Sequence, residues 1–184
     1  MVEPNPEELF DRGEDIFNFA VKGGGGTFRP DSLEAKEYYI QAKEYFEKAC
    51  ELNYAKGCVS LGGLYEGENL VIGEKNPRLK ERLKKAVQYY SKACDLNDKF
   101  VCSWLGAMQY QGKVVVKNEK QAMKKFEKAC KLGYEEACEM VTHKGLCELG
   151  HKEACEIFSL EVLCRLSDLK ACGMSYDKQK ALGF

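Results

Sequence analysis

The stretch KACELNYAKGC, residues 48–58, places two cysteines eight residues apart, at Cys50 and Cys58. The same Cys-x7-Cys spacing recurs four more times along the 184 residues. The remaining pairs are Cys94 and Cys102, Cys130 and Cys138, Cys147 and Cys155, and Cys164 and Cys172. All ten cysteines therefore belong to one repeated motif, and a repeated motif indicates a repeat architecture.

Apolar side chains recur at fixed positions before the first cysteine of the first three pairs. The residue one position before it is alanine, the residue four before it is aromatic, and the residue eight before it is again alanine. In that order they are Ala49, Ala93 and Ala129; Phe46, Tyr90 and Phe126; and Ala42, Ala86 and Ala122. Spacings of three and four residues place them on the buried face of a helix. No stretch sustains a strand-like alternation, so the sequence predicts an all-α fold without a β-sheet, an α/α solenoid of helical hairpins.

The distances between the pairs divide a predicted single repeat domain, residues 1–184, into units. Cys94 and Cys130 are 36 residues apart, about one helical hairpin, whereas the later first cysteines follow at intervals of 17. Seventeen residues are too few for two helices and a loop, so single short helices are expected to belong to two successive pairs. The predicted segments are an N-terminal capping helix (6–22), repeat 1 (31–67), repeat 2 (78–112), repeat 3 (118–144) and compressed short-helix units (145–184).

A disulfide across each pair requires the chain to reverse direction between the two cysteines. Bonded cysteines have Cα atoms about 4.4–6.8 Å apart, whereas eight residues of continuous helix separate them by about 12 Å. The third residue after each first cysteine suits the left-handed conformation that ends a helix, with serine fitting less well: Asn53, Asn97, Gly133, Gly150 and Ser167. The preceding leucines are expected to be buried at the turn: Leu52, Leu96, Leu132, Leu149 and Leu166. The recurrence favours i,i+8 pairing, while Cys138–Cys147 and Cys155–Cys164 are competing partners nine residues apart.

Metal binding and redox catalysis have less support in the sequence. Structural zinc sites use Cys-x2–4-Cys pairs and redox sites use Cys-x-x-Cys, and neither spacing occurs. The two histidines, His143 and His151, are expected to be surface residues. Gly23–Gly26 precede no Gly-Lys-Ser/Thr, so they predict a flexible turn and not a phosphate-binding loop. We therefore expect no metal site and no cofactor.

Composition narrows the class of protein and its location. A net charge of −1 does not favour a nucleic-acid-binding surface, and the apolar runs are too short for a membrane span. Ten cysteines are unusual in a cytosolic protein, yet the first residues, MVEPNPEELFDRG, are not those of a signal peptide. The expectation is a secreted or periplasmic protein in which Met1 begins a mature-length chain or a leader precedes it.

Three units resemble a known family: AKEYFEKACELNYAKGCVSLGGLYEG, AVQYYSKACDLNDKFVCSWLGAMQYQG and AMKKFEKACKLGYEEAC. They resemble Sel-like repeats of the tetratricopeptide type and, with Cys-x7-Cys in each, the Helicobacter cysteine-rich protein (Hcp) family. The resemblance covers residues 34–138 and departs from the family at insertions near 23–38 and 67–80 and after Cys138. It implies a secreted or periplasmic solenoid with one disulfide per repeat.

The resemblance also implies a penicillin-binding protein or weak β-lactamase. Two segments match the Ser-x-x-Lys pattern of serine β-lactamases, Ser167 to Lys170 and Ser175 to Lys178. About one such match is expected by chance, and neither is accompanied by Ser-Asp-Asn or Lys-Thr-Gly. No catalytic residue is therefore nominated, and enzymatic activity is left open.

The main hypothesis is a protein- or peptide-binding scaffold that uses a concave face lined by the first helix of each hairpin. Its partner would be a host or cell-envelope protein, and an acidic, carboxylate-bearing ligand suits its lysines. The predicted groove residues are Gln41, Tyr45, Lys48, Lys85, Tyr89, Lys92, Gln121, Lys125 and Lys128. In the alternative interpretation these tyrosines pack between repeats and the lysines are solvated. The alternative function is the β-lactam-binding protein or β-lactamase, and a role with host immune cells rests on family analogy alone.

Overall fold

The computed structural model describes residue 2 and residues 4–72, 79–112 and 114–184. No strand occurs within these ranges, and ten helices do. They are α1 (Pro6–Val21), α2 (Gly23–Gly26), α3 (Leu33–Glu51), α4 (Ala55–Ile72), α5 (Leu79–Asp95), α6 (Lys99–Gln111), α7 (Glu119–Lys131), α8 (Glu135–Glu148), α9 (Lys152–Arg165) and α10 (Leu169–Leu182). The predicted all-α, disulfide-linked solenoid is confirmed.

The helices form two compact units, Met1–Leu96 and Asn97–Phe184. The five predicted segments of one repeat domain stay a prediction. The start of repeat 2 and the centre of the insertion at 67–80 fall on residues 73–78, outside the described part of the chain.

In the first unit, α1 and α4 both pack on α3, and α5 packs on α4. Ser32 caps α3 by accepting a hydrogen bond from the backbone N–H of Ala35 at 3.2 Å. Phe46 of α3 is buried, and its ring lies 5.7 Å from that of Phe10 in α1. The predicted apolar stripe of α3 thus packs beneath the N-terminal helix.

In the second unit, α6 to α10 pack in chain order, and α6 also contacts α9. Phe126 and Phe158 are fully buried and meet edge to face at a centroid distance of 6.2 Å. Each contributes about 1.5–3 kcal/mol by burial alone. Ala107, Ala122, Met140 and Val162 complete this core cluster.

The turns between bonded cysteines have the predicted left-handed conformation. The φ angles are 61° at Asn53, 69° at Asn97, 86° at Gly133, 95° at Gly150 and 70° at Ser167. Four i,i+8 disulfides are described, Cys50–Cys58, Cys130–Cys138, Cys147–Cys155 and Cys164–Cys172, each with Cα atoms 4.6 Å apart. Cys94 and Cys102 are disulfide-bonded as well. The nine-residue alternatives are not used by these four pairs.

The expectation of buried leucines at these turns is wrong, because Leu96, Leu132 and Leu166 are half-buried and the other two are exposed. Leu52 is 38% exposed and Leu149 is 79% exposed. The left-handed residue already ends the helix through backbone bonds, as in Asn53 N–H to Cys50 O at 3.0 Å, so a buried leucine contact is not needed.

The compressed C-terminal part has the predicted shared helices. α8 carries Cys138, bonded to α7, and Cys147, bonded to α9. α9 in turn carries Cys155 and Cys164, the latter bonded to α10. Each 14-residue helix is therefore the second member of one pair and the first member of the next.

Candidate functional site

A cluster of lysine and tyrosine side chains joins three helices of the first unit. Its members are Lys43 and Glu47 of α3, Tyr65 of α4, and Lys85 and Tyr89 of α5, and we call it the lysine–tyrosine cluster. The rings of Tyr65 and Tyr89 stack with centroids 5.5 Å apart and an interplanar angle of 13°. The Nζ atoms of Lys43 and Lys85 lie 4.8 Å and 5.5 Å from the centroid of Tyr65. Both lysines are therefore placed for cation–π contact with one ring.

The cluster carries one more positive than negative charge. Lys43 pairs with Glu47 at 3.9 Å, a long and partly exposed ion pair, while Lys85 is exposed. Burial raises the pKa of the Tyr89 hydroxyl, and the nearby Tyr65 and Glu47 raise it further while Lys43 lowers it. Tyr89 therefore stays a neutral phenol at physiological pH, able to donate a hydrogen bond. Two ammonium groups beside stacked rings suit a carboxylate-bearing peptide that also offers an apolar or aromatic side chain.

The structure brings only part of the predicted groove into this cluster. Lys85 and Tyr89 are members of it. Tyr45 lies near Gly13 of α1, and the Nζ of Lys48 is 5.9 Å from the Tyr45 ring. Among the remaining predicted residues, Gln41 and Gln121 are exposed, and Lys92, Lys125 and Lys128 are half-buried. Gln121 accepts a hydrogen bond from Gln109 at 3.4 Å. Their role in binding stays a prediction.

Sequence reasoning missed Lys43, Glu47 and Tyr65 as members of this cluster. Lys43 stands seven residues before the first cysteine, where the next two units have Val87 and Met123. A lysine at an otherwise apolar position was a signal available in the sequence. Glu47 and Tyr65 carried no comparable signal, because their proximity depends on how three helices pack.

The same unit contains a cavity of about 770 Å3 between α1, α3 and α4. Apolar side chains from all three helices line it, and Lys36, Lys43 and Ser60 are among the few polar ones. Its volume lies within the range of about 300–1,000 Å3 that is usual for small-ligand sites. Lys43 thus belongs to both the lysine–tyrosine cluster and the wall of the cavity.

The second unit contains a buried histidine, which corrects a sequence-based expectation. His143 was expected at the surface but is only 4% exposed, and its Nδ1 lies 2.9 Å from Oε1 of Glu161. The Glu161 side chain, 10% exposed, also accepts a hydrogen bond from Gln179 of α10 at 3.2 Å. The histidine is buried because the interior of the unit supplies a hydrogen-bonding partner for it. His151 is exposed, as expected.

Glu161 has a strongly perturbed protonation equilibrium. Burial raises its pKa to about 7, against the lowering effect of the hydrogen bond and charge of His143. Its second oxygen, Oε2, is buried and has no hydrogen-bond partner among the described residues. A buried carboxylate in this state is disfavoured relative to the carboxylic acid.

Neither Ser-x-x-Lys segment has the geometry of an activated nucleophile. Ser167 occupies the left-handed turn before α10, and Lys170 is exposed. Ser175 is buried and accepts a hydrogen bond from Gln179 at 3.0 Å, whereas Lys178 forms an ion pair with Glu156. A nucleophilic serine needs a base within hydrogen-bond reach and access to substrate. Within the described residues there is also no group of three or more His, Cys, Asp or Glu side chains suited to a metal ion.

The repeats of this chain match those of known proteins. The Sel1 repeat model matches residues 21–44, 39–54, 80–98 and 101–134. Helicobacter pylori cysteine rich protein B is 38% identical over 74% of this chain and 96% of its own, with a TM-score of 0.45. The chain belongs to the Helicobacter cysteine-rich protein family. The sequence identity and coverage establish this membership of the Hcp family and confirm the resemblance inferred from the repeats.

A second solved structure is similar in fold alone. A Sel1 repeat protein from Oxalobacter formigenes is 24% identical over 74% of this chain, with a TM-score of 0.54. The match spans about half of that protein, 48% of its chain. No curated protein matches this Hcp-family chain significantly.

Disulfide bonding of all ten cysteines indicates an extracytoplasmic location for this Hcp-family chain. Among the described helices, none is long and apolar enough to cross a membrane. Sel1 repeats are consistent with a role in protein–protein interaction.

Proposed function

We propose that this Hcp-family chain is a secreted or periplasmic scaffold that binds an acidic peptide segment of a host or cell-envelope protein. The observation that carries the proposal is the lysine–tyrosine cluster, in which Lys43 and Lys85 flank one ring of a stacked tyrosine pair. The Cys50–Cys58 disulfide joins α3 to α4 and restrains Lys43 and Tyr65 before a ligand arrives, which lowers the entropic cost of binding. The other predicted groove residues of the first unit, Gln41, Tyr45, Lys48 and Lys92, would extend this binding surface.

The hydrolase implied by family resemblance has no comparable support. Ser175 is buried, and Lys178 is paired with Glu156. This serine is therefore not the activated nucleophile that a serine β-lactamase requires. The binding scaffold is therefore the function proposed.

The test measures binding of a fluorescently labelled ten-residue glutamate–tyrosine peptide by anisotropy, with a lysine–tyrosine peptide of equal length as the control ligand. We expect Lys85→Glu to lower the affinity for the acidic peptide about tenfold, because an attraction between opposite charges becomes a repulsion between like charges. Lys84→Glu is the matched control, since Lys84 is the adjacent exposed residue on α5 and has the same charge. Equal losses in the two variants would show that only net charge matters and would refute the cluster as the binding site.

A second variant tests the wider groove. Lys48→Glu combined with Lys92→Glu leaves the cluster intact and alters two other predicted groove residues of the first unit. If these positions extend the binding surface, a longer acidic peptide of twenty residues loses affinity while the ten-residue peptide does not. Unchanged binding of both peptides would remove these lysines from the binding surface.

A further inference from the structure

Repeat 1 departs from the other units at positions that line the cavity of the first unit. Two residues after the second cysteine stands Ser60, where the other units have larger apolar side chains: Trp104, Met140, Ile157 and Met174. Seven residues before the first cysteine stands Lys43, where the other units have Val87, Met123, Met140 and Ile157. Both Ser60 and Lys43 line the cavity. The departures therefore converge on one place in the fold.

A third departure removes a side chain from the same wall. Gly63 stands five residues after the second cysteine, where the next unit has Ala107. Ala107 is fully buried in the core cluster of the second unit, whereas a Cβ placed on Gly63 would meet only the Tyr90 hydroxyl, at 3.7 Å. Serine for tryptophan and glycine for alanine both leave space, which is consistent with a cavity of about 770 Å3 at this point.

One apolar residue of the cavity wall stands where the next two units have a lysine. Ile40 is 58% exposed at the position occupied by Lys84 and Lys120 in the next two units. Phe17 and Val21 of α1 line the wall of the cavity as well. Exposed apolar side chains around a concave site are typical of a surface that receives an apolar ligand.

The charges of the lining define the polar end of such a ligand. Among the described residues, Lys36 and Lys43 line the cavity together with one carboxylate, that of Glu14. Lys43 forms a long ion pair of 3.9 Å with Glu47, and its Nζ lies over the Tyr65 ring. A ligand carboxylate at about 2.8 Å from its Nζ would form a stronger, charge-assisted hydrogen bond.

We propose that this cavity is a binding site for a single-chain amphiphile with an anionic head, of the alkyl carboxylate class. The alkyl chain lies against Phe17, Val21 and Ile40 in the space left by Ser60 and Gly63. The carboxylate binds at Lys43 and Lys36. This site is separate in chemistry from peptide binding at the lysine–tyrosine cluster, although Lys43 belongs to both.

The experiment uses the oxidised full chain and the fluorescent fatty acid cis-parinaric acid as the probe. Bound probe is displaced with dodecanoate, dodecanol or dodecyltrimethylammonium, each below its micelle concentration. We expect saturable binding of one probe per chain and displacement by dodecanoate at an approximately fivefold lower concentration than by the cationic analogue.

Two variants restore the residues of the other units. Ser60→Trp reproduces Trp104 and is expected to abolish probe binding by filling the cavity. Lys43→Met reproduces Met123. It is expected to lower the affinity for dodecanoate about fivefold and to leave the affinity for dodecanol unchanged, because only the carboxylate head group loses its partner. Lys120→Met, an exposed lysine of α7, is the matched control and should bind like the wild type.

Circular dichroism and thermal denaturation check that each variant is folded. If Ser60→Trp fails to fold, the Lys43→Met comparison still decides the question, since it removes charge without adding a ring. No saturable probe binding, equal displacement by the anionic and cationic amphiphiles, or unchanged affinity in a folded Ser60→Trp protein would each overturn the proposal.

Discussion

The buried Glu161 should make the second unit less stable as the pH rises, in contrast to the usual behaviour of a carboxylate. Its pKa in the folded chain is raised to about 7 from the ordinary value of 4.5, chiefly by burial. Between these two values the folded state binds more protons than the unfolded state, so the free energy of unfolding falls as the pH increases. The contribution of Glu161 is fully present below about pH 4.5 and is lost as the pH rises through about 7.

The size of the effect follows from the two pKa values. A difference of about 2.5 units at about 1.4 kcal/mol per unit corresponds to about 3.5 kcal/mol at most. Glu161→Gln removes the titration, and like the protonated acid it places an uncharged group at the buried Oε2 position. The variant should therefore gain stability relative to the wild type by about 2–3 kcal/mol between pH 4.5 and 7.5.

Trp104 allows this unit to be observed by itself. It is the single tryptophan of the chain and lies in α6, within the same unit as Glu161. Urea unfolding followed by its fluorescence, with disulfides intact, measures the free energy of unfolding at four pH values. Glu153→Gln, an exposed carboxylate of α9, is the control and should parallel the wild type. A constant difference between wild type and Glu161→Gln across the pH range would refute this reasoning.

Three further predictions concern the turns, the helix contacts and the disulfides. Ser167→Gly should raise the free energy of unfolding by about 1 kcal/mol, because serine is strained at a φ of 70°. A lower free energy of unfolding, measured with urea, would contradict this prediction. Gly57→Ala should cost about 1–3 kcal/mol, since its Cβ would lie 2.8 Å from that of Ala49, whereas Gly145→Ala, with open space around it, should gain about 0.5–1 kcal/mol. Thermal denaturation of the two variants shows whether the space around each glycine determines if alanine destabilises or stabilises the protein. Replacing Cys164 and Cys172 by alanine should cost about 2.5 kcal/mol for a loop of about nine residues, measured by urea unfolding, and no loss would show that the bond is structurally dispensable.

The fold could be predicted because its determinants are local and repeated. Positions one, four and eight before the cysteines are buried at Ala49, Phe46 and Ala42, as helix periodicity requires. Asparagine and glycine at the turns predicted the left-handed conformation, and Ser167 also adopts it at the equivalent position.

The candidate site was only partly predictable, because it depends on which helices meet. His143 shows this most clearly, since its burial is made possible by Glu161, eighteen residues away in the sequence. Likewise Tyr65 reaches Tyr89 only because α4 packs on α5. Contacts between distant residues leave no periodic signal in a single sequence.

The short spacing of the disulfides has a consequence for how the chain acquires them. Ten cysteines allow roughly 900 complete pairings, but a chain that folds from its N-terminus finds each partner eight residues behind the newest cysteine. Once Cys138 has bonded with Cys130, it can no longer compete for Cys147. Vectorial synthesis or export therefore selects the native set by order of appearance. Refolding of a fully reduced chain loses that order. Incorrect disulfides should therefore form mainly after Cys130, where a native partner eight residues away competes with a non-native cysteine nine residues away.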